Sequence, residues 1–307
     1  MATISRSLLA HVSGHLKYGA STYIYSEAPI TVNLVTKYND ISVDGLGRVR
    51  KATVDRYLEI VCKPNEFEGY AALMTPYASM EAGASIFGAS SDTALIFYGR
   101  DGKSRTFHCA AVTGFGIVGK AGSTLFNTLT FTAILANNKA PTDSGAYFTE
   151  ASLTYPGDTN YSRAAAITPA LSGVWGAAPF DSFYVQDGLD IAFALALEPD
   201  TADGLGTIDM KFMDCIINAS GIPLGMTATE LYTAAGMFTA MGAAATENDL
   251  ILSGTGFHFT AYGAMLTDPK VAFSAAQRVP GQVVWTTNRS QTAGAQNPCF
   301  RLAAAAP

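Results

Sequence analysis

Short runs rich in Val, Ile, Thr, Phe and Tyr recur along this chain between turns built from Gly, Asp, Asn and Pro. That alternation commits most of the chain to β-strands. The runs are Ile30 to Lys37, Val54 to Cys62, Ala94 to Tyr98, Thr106 to Thr113, Leu125 to Leu135, Leu189 to Leu197, Ile208 to Ile217, Phe257 to Ala264 and Gln282 to Thr287. From Leu129 to Ile134, Leu129, Phe131 and Ala133 alternate with Thr130, Thr132 and Ile134, the period-2 pattern of a half-buried strand. Arg100-Asp101-Gly102-Lys103 sets an Asp-Gly between two such runs and predicts a hairpin. Helix is sparse. After Pro223, Thr227-Ala228-Thr229-Glu230 has the form of a capping box, and Leu231, Ala234, Ala235 and Phe238 follow on one face. A shorter helix is expected after Pro64, with a cap within Asn65 to Glu68 and an apolar stripe of Tyr70, Leu73 and Met74. Both would lie as lids over a β-core.

The 307 residues suffice for two modest domains or one large one, and 49% hydrophobic content can fill a core. Charged residues are only 14%, against about 25% in an ordinary soluble protein, which suits a surface covered by neighbours. A formal charge of −6 provides no basic footprint for gripping nucleic acid. Residues 1–12 read as too short and interrupted for a secretory signal, and Met226 to Ala245, with Glu230 and several Thr and Gly, is not expected to span a membrane. Synthesis in the cytoplasm follows. Cys62, Cys109, Cys215 and Cys299 lack any C-x-x-C spacing and read as buried free thiols.

The residues of chemically reactive type read as structural. Gly114-Phe115-Gly116-Ile117-Val118-Gly119 fits the glycine pattern of a dinucleotide fold. The segment after it alternates as a strand, and no acid occurs between Gly119 and Asp143 to hold a ribose, so a glycine-softened strand connection is expected. His11, His15, His108 and His258 are too few for ordinary metal or acid-base work; His108 and His258, each beside Phe, read as sheet or subunit-contact residues. Sequons at Asn160, Asn218 and Asn288 read as accidental. Trp175, Trp285 and the other aromatics read as core and interface. Arg48-Val49-Arg50-Lys51 is the one basic cluster, a solvated strand face by default and, on a hairpin, able to touch a neighbour's acidic edge. No catalytic, cofactor or metal site is expected.

Composition turns to Pro, Gly, Asp, Asn, Ser and Ala between Lys139 and Pro179, which is linker chemistry. The expected division is an N-terminal arm at 1–20, a first β-domain at 21–139, a linker at 140–179, a second β-domain at 180–290 and a C-terminal tail at 291–307. The halves suggest a diverged duplication. Val54 to Pro64 matches Leu189 to Pro199, Phe107-His108 matches Phe257-His258, and Leu129 to Ala133 matches Val283 to Thr287.

Asp101-Gly102-Lys103, then Phe107-His108-Cys109-Ala110-Ala111-Val112-Thr113, then Leu125-Phe126 and Leu129-Thr130-Phe131-Thr132-Ala133 resemble the tail tube proteins of long-tailed bacteriophages, as do Leu197-Glu198-Pro199, Asp203-Gly204-Leu205-Gly206-Thr207 and Pro223-Leu224-Gly225-Met226-Thr227. The resemblance covers about half of the chain. It implies a mainly β fold of two tandem β-sandwich or barrel domains, each with one short α-helix. It further implies a non-enzymatic virion subunit whose rings stack into a tail tube, the conduit for genome delivery. Strands of neighbouring subunits would join into one large barrel, and two domains per chain imply a trimeric, pseudo-sixfold ring. Tape measure, tail terminator and distal tail proteins are the implied partners, with DNA passing unbound and no membrane insertion. Gly83 to Asp92, Ala240 to Asn248, the segment up to about Lys17 and the segment after Asn288 are the expected inter-ring contacts. A capsid decoration or surface-layer subunit and a small-molecule-binding β-barrel stand as alternatives.

Overall fold

The computed structural model describes residues 14–65, 67–87, 93–119, 127–134, 148–158, 172–176, 180, 182–202, 206–224, 247–254, 257–273, 278–287 and 298–303. The first half comprises β1 (Gly14–Tyr18), β2 (Thr22–Ile24), β3 (Thr31–Val43), β4 (Gly47–Cys62), α1 (Phe67–Ala78), β5 (Ala84–Ser85), β6 (Leu95–Gly99), β7 (Lys103–Phe107), β8 (Ala110–Gly114), β9 (Gly116–Gly119), β10 (Leu129–Ala133) and β11 (Phe148–Ser152). The second comprises β12 (Ser172–Trp175), β13 (Phe183–Ala202), β14 (Gly206–Leu224), β15 (Asn248–Gly254), β16 (Phe257–Phe273), β17 (Arg278–Thr287) and β18 (Phe300–Ala303). Every run read as a strand falls on a strand, and the fold is mainly β. The Asp-Gly hairpin joins β6 to β7, with Gly102 at φ 75. Of Leu125–Leu135, Leu129–Ala133 forms β10 while 125–126 and 135 lie outside the described residues, and Thr106–Thr113 is broken at His108–Cys109.

Pairings in the second half close on themselves. β13 bonds to β14, β14 to β17, β17 to β16, β16 to β15, β15 to β12 and β12 back to β13, all antiparallel. This is a closed barrel, which leaves no sheet edge within the circuit. Its interior holds Trp285 stacked on Phe183, with Phe180 edge-on to both. Gly173 is glycine because a Cβ there would lie 2.3 Å from the Phe183 ring.

The first half repeats this strand order but as two sheets, β3–β4–β10–β8 and β11–β7–β6–β1–β2, linked by the chain at the β7–β8 bend and from β2 to β3, with no strand pairing between the sheets among the described residues. Cys109, at φ 42, turns β7 into β8, and Gly263, at φ 60, bends β16 where its pairing passes from β15 to β17. β11 flanks β7 as β18 flanks β16. The duplication is therefore a repeated topology, but its register differs from the one read in the sequence. Leu129–Ala133 does match Val283–Thr287, since the former pairs with Cys62–Leu58 and the latter with Gly221–Ile217. That equivalence makes β4 the counterpart of β14, so Pro64 corresponds to Pro223, while Pro199 sits within β13 opposite Met210. The Phe-His pairs are not equivalent, because Phe107-His108 precedes a bend and Phe257-His258 opens a strand.

Strands also reach past the compositional boundaries. β1 lies in the range read as an arm, β11 and β12 in the range read as linker, and β18 in the range read as tail. The segment up to Lys17 and the end of the chain are thus not free contact arms from Gly14 to Lys17 or from Cys299 to Ala303. Leu16 is fully buried between β6 and β2; Phe300 is buried, and the Cys299 amide donates to the Ala78 carbonyl (2.7 Å).

α1 carries the expected stripe, with Tyr70, Leu73 and Met74 buried and Tyr77 continuing it. The Tyr70 hydroxyl donates to the Gly116 carbonyl and accepts from the Gly116 amide (2.8 Å), while Tyr77 donates to the Val112 carbonyl. The helix expected after Pro223 lies outside the described residues. β10 is more buried than a half-exposed strand: Thr132 is covered, its hydroxyl 3.0 Å from that of Thr113. Cys62, Cys215 and Cys299 are buried cysteines outside any disulfide, and burial pushes the Cys62 thiol up to about 12. Cys109 is half-buried at its bend.

Candidate functional site

Each unit carries one long hairpin that runs on beyond its other strands as a two-stranded ribbon. In the first unit this is β3–β4, turning through Asp44-Gly45-Leu46; in the second it is β13–β14. The two match residue for residue. Register slips fall at Val54 and Val49 in the first ribbon and at Met213 and Ile208 in the second. One constant offset carries Val49 to Ile208, Val54 to Met213, Gly47 to Gly206, Asp55 to Asp214 and Pro64 to Pro223. The same offset superposes the sequence Asp44-Gly45-Leu46-Gly47 on Asp203-Gly204-Leu205-Gly206. This repeated tetrapeptide, available in the sequence, was the signal that fixes the register, and strand periodicity alone passes over it.

The second ribbon is clasped by the first unit. β9 adds to the β13 edge at Leu189–Ala192, and β5 adds to the β14 edge at Lys211–Phe212. Phe212 is fully buried with its ring 6.1 Å from that of Tyr77 on α1. At the tip, the Thr207 amide donates to Asp55 Oδ1 (2.8 Å) and the Thr207 hydroxyl to Asp55 Oδ2 (2.9 Å). Lys37 Nζ stands 3.2 Å from Asp55 Oδ2. Burial alone would raise the Asp55 pKa; the bonds from Thr207 and the Lys37 charge outweigh it and hold the carboxyl below its ordinary value. Gly206, at φ 78, presses on this carboxylate so closely that a Cβ would lie 2.7 Å from Asp55 Oδ1.

The first ribbon has no such cover among the described residues. Leu34, Tyr38, Ile41, Leu46, Val49 and Val54 are all exposed, Leu46 at 73%. A Cβ on Gly47, the counterpart of Gly206, would meet nothing within 4 Å. From Asp55 to the turn the ribbon extends about 30 Å at ~3.3 Å per residue. It carries Lys37, Arg48, Arg50, Lys51 and Arg56 against Asp40, Asp44 and Asp55, whereas the second ribbon carries Glu198, Asp200, Asp203, Asp209 and Asp214 against Lys211. The basic cluster Arg48–Lys51 therefore does lie on a hairpin. Arg48 pairs with Asp40 (2.8 Å) in an exposed ion pair of little strength.

The other residues singled out in the sequence are dispersed. Gly114 ends β8 and Gly116–Gly119 form β9, with Gly116 opposite Ala192 of β13. His108 Nε2 is 3.2 Å from the Thr149 hydroxyl at the β7–β8 bend. His258 is buried between the hydroxyls of Ser253 (2.9 Å) and Thr260 (3.3 Å), and burial lowers its pKa. His15 is fully buried among Tyr23, Tyr25, Tyr98 and Tyr155, with Asp158 3.7 Å away; burial lowers its pKa, more than Asp158 raises it. His11 lies outside the described residues. Among the described residues no three His, Cys, Asp or Glu side chains are grouped to hold a metal ion. Of the loops expected to order on stacking, Ala84–Ser85 forms β5 on the second ribbon, while 88–92 and 240–246 lie outside the described residues. No helix among the described residues is long and apolar enough to cross a membrane. No protein-family model matches the chain, and no curated protein matches it in sequence.

Proposed function

We propose that this chain is a structural subunit of a phage tail tube, copies of which join into rings that stack into a conduit for DNA. The observation that carries the reading is the duplicated β-unit with one ribbon clasped inside the chain and its twin exposed. The second unit's circuit closes on itself, whereas the exposed β3–β4 ribbon reaches beyond the first unit's sheets as a strand pair free of cover among the described residues and suited to joining a neighbour. Two equivalent units per chain serve a ring of trimeric, pseudo-sixfold form. Head-to-tail stacking of such rings uses a heterologous interface that propagates. Net negative charge supports conduction, since a lumen repeated from an acidic chain repels DNA phosphate instead of holding it. Tape measure and tail-end proteins would be the partners along and at the ends of the tube, and the virion the location.

A small-molecule-binding barrel is disfavoured by the Phe180–Phe183–Trp285 stack, which fills the second barrel with packed rings. A decoration or surface-layer subunit would also expose an assembly arm, and the assembled form separates it from a tube. Negative-stain electron microscopy of concentrated protein, with light scattering of dilute protein, is the test. Hollow tubes or stacked rings from trimer-sized units are expected; flat lattices or a persistent monomer would overturn the reading.

A further inference from the structure

We infer that the β3–β4 ribbon of one copy docks on the second unit of the next copy, with Arg48 reaching the neighbour's Asp214, by repeating between chains the contact that β13–β14 makes within the chain. This deepens the assembly reading above and rests on it for the existence of a second copy, although its geometry comes from the duplication alone.

Within one chain, the second unit's ribbon lies on the first unit with Gly206 and Thr207 against Asp55. The constant offset carries each participant to a counterpart: Gly206 to Gly47, Thr207 to Arg48 and Asp55 to Asp214. If a second copy follows the first as the second unit follows the first unit, the incoming ribbon brings Gly47 and Arg48 to the Asp214 of the copy ahead of it. Both sides are ready for it. Gly47 faces open space and holds the left-handed backbone (φ 70) that Gly206 holds at its contact (φ 78). Asp214 is half-buried where Asp55 is buried, as expected of the same position before and after covering.

The charges complement the substitution pattern. Asp55 is neutralised within its own ribbon by Lys37, which stands opposite it across the hairpin, and receives an uncharged Thr207. Asp214 has Ala196 in the place of Lys37, so its own ribbon supplies no cation there, and the incoming residue is Arg48. The cation moves from the receiving strand to the docking strand while the site stays balanced. Arg48 gives up only its exposed pair with Asp40. The basic first ribbon meeting the acidic second ribbon adds steering in the same direction. Each copy then offers one ribbon and receives one, a heterologous contact that closes into a ring when the rotation allows.

Charge reversal tests the pairing. Arg48→Asp lies on an exposed ribbon and leaves the melting curve of the dilute chain unchanged; in sedimentation velocity it should weaken self-association at least about tenfold. Asp214→Arg should do the same, and the double variant should recover most of the loss. Rescue is the outcome that a merely weakened fold would not give. Wild-type protein that assembles while both reversals leave association unchanged would overturn this contact and spare the assembly reading, as would two damaging reversals without rescue. Wild-type protein that stays monomeric at every concentration would overturn both.

Discussion

Removing the Asp55 carboxylate should release the second ribbon from the first unit. In Asp55→Ala, two hydrogen bonds to a buried anion are lost, one from the Thr207 amide and one from its hydroxyl. Bonds to charged groups contribute about 1.5–3 kcal/mol each, and a buried neutral donor such as Thr207 left without its acceptor costs about 1–3 kcal/mol. The Lys37 contribution is smaller, under about 1 kcal/mol, because its side chain is 54% exposed. Asp55→Ala is therefore expected to cost about 3–4 kcal/mol at pH ~7, and Asp55→Asn, which keeps one acceptor, about 2 kcal/mol. Urea unfolding of dilute protein followed by tryptophan fluorescence is the assay, since Trp175 and Trp285 both lie in the second barrel and report the unit whose ribbon is held. Proton linkage supplies a second check. The folded Asp55 pKa lies below its unfolded value, so this stabilisation is complete above about pH 4 and is lost as pH falls through the folded pKa. The difference between wild type and Asp55→Ala should persist from neutrality to about pH 4 and then close. A difference under about 0.5 kcal/mol at neutral pH, or one that stays undiminished in strong acid, would refute the clasp.

Three further outcomes are expected. Cys109→Gly should stabilise the chain by up to about 1 kcal/mol by relieving a left-handed side-chain-bearing residue, and Gly263→Ala at the equivalent bend should destabilise it by about 1 kcal/mol; thermal melts of the pair with the same sign would refute the equivalence of the bends. Gly173→Ala should cost about 1–3 kcal/mol, because the new methyl would collide with a Phe183 ring pinned against Trp285; an unchanged urea midpoint would show that the ring can move. His15, buried with a lowered pKa, binds fewer protons folded than unfolded, so stability should fall as pH drops below about 6.5 and level off below the folded pKa. His258 acts with the same sign, so His15→Gln should reduce the slope in that window while retaining part of it; an unaltered slope would exclude His15 as a contributor.

The strand runs were legible because strand composition is local: each run rich in β-branched and aromatic residues, from Ile30 to Thr287, lands at least in part on a strand, and the α1 stripe of Tyr70, Leu73 and Met74 lands on the core. The duplication was legible in outline and misregistered in detail, since Pro199 and Pro64 end similar apolar runs while only Pro223 shares the hydrogen-bonded neighbours of Pro64. Sequence by itself determined that this chain would be rich in strands and turn at Asp-Gly pairs, and it wrote the same tetrapeptide into both ribbons. Only the tertiary structure decided which strands pair, that the second unit closes into a barrel while the first forms two sheets, that β1 and β18 belong to the cores, and that one ribbon is covered while its twin is not. The reason is that pairing between distant strands depends on which backbone edges meet, a property that no short window contains. Asp55 and Asp214 occupy equivalent places in the repeat, and the partner brought to one of them makes it a buried clasp.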